Sequence, residues 1–156
     1  KGADGYFVLS NAVGRAALTK SRKERVRAAN AIYDYSTTAL GVDPRHDGAY
    51  HVLGRWNAEI MRLSSVERLF AKSFMGGKRF NAASWDEAVK YLERSVELRP
   101  NYVYHRLDLA KVYIDRNRYA EARAQLEKIP TLPRLDVNDT MYVRDARQTL
   151  AAIAGK

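Results

Sequence analysis

The chain has no cysteine among its 156 residues, which excludes disulfide bonds, cysteine-based zinc sites and thiol catalysis together while leaving the redox compartment open. Only four prolines and nine glycines interrupt it, and no alternation of apolar and polar residues argues for strands. No run reaches the ~18 apolar residues that a membrane span needs. Acidic residues are scarce relative to basic ones: 18 Asp and Glu face 27 Lys and Arg, a formal net charge of +9 that favours anionic partners through long-range attraction. What is present is Ala, Leu, Arg, Lys and Glu at helical spacing, with 46% hydrophobic and 29% charged residues, and this predicts an all-α globular protein. The chain starts at Lys1 without a methionine and runs directly into a helical pattern, so a leader or further repeats are expected upstream. Localisation stays open between a cytoplasmic and an exported protein.

A repeat organises the helices. The stretch SWDEAVKYLERSVELRP, residues 84–100, begins on a capping serine and stops at a proline. Thirty-four residues separate Trp85 from Tyr119, and the same interval separates Ala88 from Ala122 and Leu92 from Leu126. Nine residues after Pro44 stands Leu53 followed by Gly54, and nine after Pro100 stands Leu109 followed by Ala110. Small residues there let two helices touch, and the prolines mark where one unit stops and the next begins. Pro133 closes the last unit one position early. The interval matches the ~34-residue tetratricopeptide period, in which a two-helix hairpin buries its apolar face only by stacking on a neighbour.

Residues 47–133 therefore resemble tetratricopeptide repeats, with a weaker first unit that uses Val13 and Gly14. The fold expected is a single all-α domain over 1–156, an α-α superhelix or solenoid of about eight helices. Its units span about 5–44, 45–100 and 101–133, and a capping helix over 137–154 starts at Asp136 or Asn138 and turns Met141, Ala146, Leu150 and Ile153 to the last unit. The middle unit carries about 22 extra residues, because Leu53 and Trp85 lie 32 apart where Leu109 and Tyr119 lie 10 apart. The insertion, 64–83, reads as one helix capped by Ser64 or Ser65 and ended by Gly76 and Gly77. Val66, Leu69, Phe70 and Phe74 form its apolar face.

The succession LGRWNAEIMRLSSVERLFAKSFMGG and SWDEAVKYLERSVELRP resembles the regulator of microtubule dynamics family over most of residues 20–133. That resemblance implies a non-enzymatic scaffold, associated in eukaryotic members with microtubules or organelle membranes and in some with lipid.

In a tetratricopeptide array the first helix of each unit lines a concave groove. Two places after the Leu-Gly or Leu-Ala start come Arg15, Arg55 and Lys111, a basic column; four places before these come Asn11, His51 and Leu107, and Ile114 occupies the next groove-facing step. Tyr104, early in such a helix, is the tyrosine expected to reach a ligand. A cationic column with these neighbours suits a partner protein or acidic peptide, or the phosphate of an anionic lipid. The alternative is a solvated face with Arg55 paired to Glu59 and Lys111 to Asp108 or Asp115. Val66, Leu69, Phe70 and Phe74 are expected as a lid over this groove, which would turn it into a lipid or small-ligand pocket; the other role for this helix is docking on a membrane with Arg68, Lys72, Lys78 and Arg79. A basic run at 18–27 lacks the interleaved aromatics of nucleic-acid readers, so nucleic acid is not indicated. His46, His51 and His105 show no metal-ligand spacing, no phosphate-cradling loop or nucleophile elbow occurs, and no cofactor is expected.

Overall fold

The computed structural model describes the backbone of residues 2–74 and 77–156, and the side chains of these except 74, 77 and 78. Among the described residues the structure is all-helical: α1 (Ala3–Ala17), α2 (Arg22–Val42), α3 (Asp47–Arg62), α4 (Ser65–Phe74), α5 (Gly77–Ala82), α6 (Trp85–Leu98), α7 (Val103–Asp115), α8 (Tyr119–Lys128), a 3-10 turn (Ile129–Thr131) and α9 (Asp139–Ala152). Helix α1 packs on α2, α3 on α6 and α7 on α8, while α2 touches α3 and α6 touches α7, so each pair contacts the next; α9 packs on α7 and α8.

The sequence period is visible in burial. Trp85 and Tyr119 each open the second helix of a pair, and both pack on the same apolar cluster. Ala88 and Ala122 are fully buried, as are Leu92 and Leu126, and Leu53 and Leu109 occupy matching places on α3 and α7. Gly54 is small because α6 comes so near: a Cβ there would stand 2.5 Å from Leu92 Cγ and 3.1 Å from the Ala88 carbonyl oxygen. Ser84 starts α6 by accepting the Glu87 amide at 3.0 Å. The tight turn from α7 to α8 needs a left-handed residue, and Asn117 supplies it at φ 58°.

The insertion departs from expectation. Instead of one helix it forms two, and Gly77 opens α5; Met75 and Gly76 lie outside the described residues. A glycine pair breaks a helix readily, but the good helix formers Lys78, Arg79 and Ala82 let the helix resume before Ala83. Both short helices pack on the α2 side of α3, where Ala71 and Phe80 bury against Val26, Trp56 and Ile60. The Trp56 indole donates to the Ala29 carbonyl at 2.8 Å. Buried Asn57 ties the exit of the excursion to α3: its oxygen accepts the Ser84 amide at 3.2 Å, while its amide donates within α3 to the Leu53 carbonyl at 2.9 Å. Helix α9 differs in its start. Asn138 occupies the N-cap without a side-chain capping bond, and the buried Asp139 carboxylate accepts the amides of Leu135 at 2.7 Å and Asp136 at 3.0 Å. Ala146 and Ile153 are buried as expected, whereas Met141 is 55% exposed because it faces the cleft described next.

Candidate functional site

Asp47, His51, Arg55 and Glu59 recur every four residues along α3 and so share one face. Helix α7 sets Tyr104, Asp108 and Lys111 opposite, and α9 adds Met141, Tyr142 and Asp145. The three helices bound a cleft of about 380 Å³ lined by Arg55, Glu59, Arg62, Tyr104, Lys111 and Tyr142, among others. The rings of Tyr104 and Tyr142 stack with centroids 4.3 Å apart and planes 7° from parallel, which fixes α9 against α7 at the cleft mouth.

A line of polar groups runs beneath the floor. His51 Nδ1 and His105 Nδ1 approach to 2.9 Å, and the outer His105 nitrogen, Nε2, meets Asp47 Oδ2 at 2.7 Å. His51 Nε2 stands 3.1 Å from Asp108 Oδ2, and Arg55 Nε reaches that same oxygen at 3.2 Å. The Arg55 guanidinium also donates to the Tyr104 hydroxyl. Protons can be counted from these partners. His105 donates from Nε2 to the Asp47 carboxylate, so its Nδ1 offers a lone pair and His51 must donate from Nδ1. His51 Nε2 faces the Asp108 carboxylate, and neither His51 Nε2 nor Asp108 Oδ2 has an aligned hydrogen bond among the described residues. Burial drives His105 down to about 4, against the raising effect of the Asp47 hydrogen bond. Burial pushes the Asp108 carboxyl up, but His51 and Arg55 outweigh it and hold it below the ordinary carboxylate value. The relay pins α3 to α7.

Every cleft cation has a carboxylate partner from its own chain. Lys111 Nζ meets Asp145 at 2.6 Å, Arg62 meets Asp115 at 2.5 Å and Glu59 at 2.7 Å, and Arg55 meets Asp108. These are not the pairings that spacing within one helix suggested; all but Arg62 to Glu59 join different helices.

Of the residues expected along the groove, the structure brings Arg55, Tyr104 and Lys111 into one cleft. His51 lies 5% exposed beneath the floor, Leu107 is fully buried core, and Ile114 packs on that core. Asn11 and Arg15 belong to α1, outside the lining, and Arg15 is exposed. As for the lid, Val66 and Leu69 are 72% and 66% exposed and so cover nothing, while α4 packs on α2 and α5. The side chains of Phe74 and Lys78 lie outside the described residues. Sequence reasoning missed Asp47, His105, Asp108, Arg62, Tyr142 and Asp145. The four-residue spacing of Asp47, His51 and Arg55 was a usable signal; the pairing of His105 with His51 across helices left none.

The family model "Regulator of microtubule dynamics protein 1-3" matches residues 1–154. The chain belongs to this family. Relatives within it include Regulator of microtubule dynamics protein 1 of Caenorhabditis elegans, 24% identical over 82% of this chain and 56% of its own length. Regulator of microtubule dynamics protein 3 of Rattus norvegicus is 24% identical over 97% of this chain and 31% of its own length, and protein 1 of the same species is 26% identical over 83% and 42%. The chain thus spans about half or less of the length of these relatives. The family is named for regulation and not for a reaction.

Proposed function

We propose that this chain is a tetratricopeptide-like superhelix that serves as a non-enzymatic binding scaffold, and that its cleft between α3, α7 and α9 takes an acidic segment of a partner protein. The observation that carries this reading is the convergence of Arg55, Lys111 and Arg62 with Tyr104 and Tyr142 around one opening. The charged side chains of the lining balance, three basic against three acidic, so the chain-wide excess of +9 draws the ligand in and the cleft orients it. The rim pairs Lys111–Asp145 and Arg62–Glu59 are partly exposed, and pairs of that kind contribute only ~0–1 kcal/mol. An incoming carboxylate can therefore exchange with Asp145 or Glu59 at little cost. The more buried Arg55–Asp108 contact stays in place as the floor. The names of the relatives concern microtubule dynamics, and a microtubule is one assembly on which such a scaffold could act; co-sedimentation with polymerised tubulin tests that partner.

The cleft itself is tested with a labelled glutamate-rich peptide and fluorescence anisotropy. Binding should weaken steeply with salt and disappear in Arg55→Glu with Lys111→Glu. Absence of binding at low salt, or an acyl species co-purifying in native mass spectrometry and displaced from the wild type alone, would replace this reading by the lipid-pocket alternative.

A further inference from the structure

Helix α4 exposes an apolar stripe and is bordered on both sides by cations. Val66 and Leu69, three apart on one face, are 72% and 66% exposed, while Ala71 on the opposite face is buried. At one edge of the stripe Phe70 faces α2, and the Arg22 guanidinium lies 5.4 Å from its ring centroid. Lys72 borders the other edge by its place on the helix. Contact with α2 brings in the basic run that precedes and opens that helix: Lys20, Arg22, Lys23, Arg25 and Arg27 are all exposed. Leu18, 82% exposed, sits on the turn before it. Over 18–27 and 65–74 there are seven Lys and Arg and two Glu. Both glutamates are engaged with their own helix starts: Glu24 accepts from the Ser21 amide and hydroxyl at 3.1 and 2.6 Å, and Glu67 from those of Ser64 at 3.0 and 2.8 Å. Arg68 is turned inward, onto the Met61 carbonyl at 3.0 Å.

We infer that this face, Val66 and Leu69 of α4 with Arg22 and Arg25 of α2, docks the protein on an anionic lipid bilayer. A few apolar side chains make far too small a patch for a stable protein interface, which needs roughly 800 Å² per partner. They suffice to enter the headgroup region when cations beside them meet acidic lipid, since apolar insertion and electrostatic attraction add. Among the described residues no helix is long and apolar enough to cross a membrane, so the association is peripheral. This surface lies on α4 and the start of α2, apart from the cleft, and does not depend on the cleft's ligand.

Vesicle co-sedimentation of the full chain tests the assignment, using phosphatidylcholine alone and phosphatidylcholine with about a third phosphatidylserine. The protein is expected to pellet with the acidic vesicles only and to be released by salt. Each neutralised cation near such a surface lowers partitioning about fivefold, so Arg22→Gln with Arg25→Gln should lower it about 25-fold. Val66→Asp with Leu69→Asp should abolish binding at unchanged helical circular dichroism, because both side chains already face solvent, and Lys111→Glu in the cleft should leave vesicle binding intact. Equal binding to both vesicle types, no binding to either, retention by the Val66→Asp, Leu69→Asp variant, or self-association that these two substitutions abolish would each overturn the inference, the last by making the stripe a contact between copies.

Discussion

Acidification should loosen the joint between α3 and α7, and His105 should account for a measurable share of it. The imidazole is 2% exposed and fixed between His51 and Asp47. Its Nδ1 accepts a hydrogen bond from His51 across 2.9 Å, so adding a proton there would set two N–H groups face to face. Burial and this geometry act in the same direction: the folded value near 4 lies below the ordinary 6.5. The unfolded chain therefore takes up the proton first, and stability falls as pH drops from about 6.5 to about 4, with no contribution from this group above that window. At one pKa unit per ~1.4 kcal/mol, the whole window amounts to about 3 kcal/mol, and the loss between pH 8 and pH 5 to about 2 kcal/mol. Urea unfolding at those two pH values gives the wild-type difference; the same measurement on His105→Gln, which keeps an amide hydrogen bond but does not titrate, should give a difference smaller by about 2 kcal/mol. Slopes that agree within about 0.5 kcal/mol, or a wild type that gains stability on acidification, would refute the reasoning.

Two predictions concern the repeat. Gly54→Ala places a Cβ 2.5 Å from Leu92 Cγ, and overpacking of this kind costs about 1–3 kcal/mol, read as a fall in the urea midpoint at constant m. Ser84→Ala removes the acceptor for the Glu87 amide and should cost about 1 kcal/mol, with a Tm lower by about 2–4 °C for a chain of this size; an unchanged midpoint would show that the Asn57 bond to the Ser84 amide suffices to start α6.

The helices and their packing partners were legible because their signal is local and repeated. Trp85 and Tyr119, Ala88 and Ala122, Leu92 and Leu126 face the same demand, to fill the space beside the next helix, and their spacing survives in sequence. The insertion was legible only in its existence and its capping serine. Where its apolar face points depends on Trp56 and Val26 of other helices, which draw Ala71 and Phe80 inward and leave Val66 and Leu69 outside. The cleft was half legible. Arg55 and Lys111 follow from register, but the carboxylates that hold them, Asp108 and Asp145, come from neighbouring helices. The buried meeting of His51 and His105 rests on the distance between two helices, a quantity that no spacing along one chain encodes.

Asn57 fastens the exit from the excursion to α3 by accepting the Ser84 amide, while its own amide is held within that helix by the Leu53 carbonyl. The return of the chain is therefore anchored independently of the path taken before it, so the detour's length and outer chemistry can drift without unseating α3 and α6. It cannot be clipped away at no cost, since Phe80 and Ala71 shelter Trp56 from water. A shortened relative would need some other apolar roof at that tryptophan.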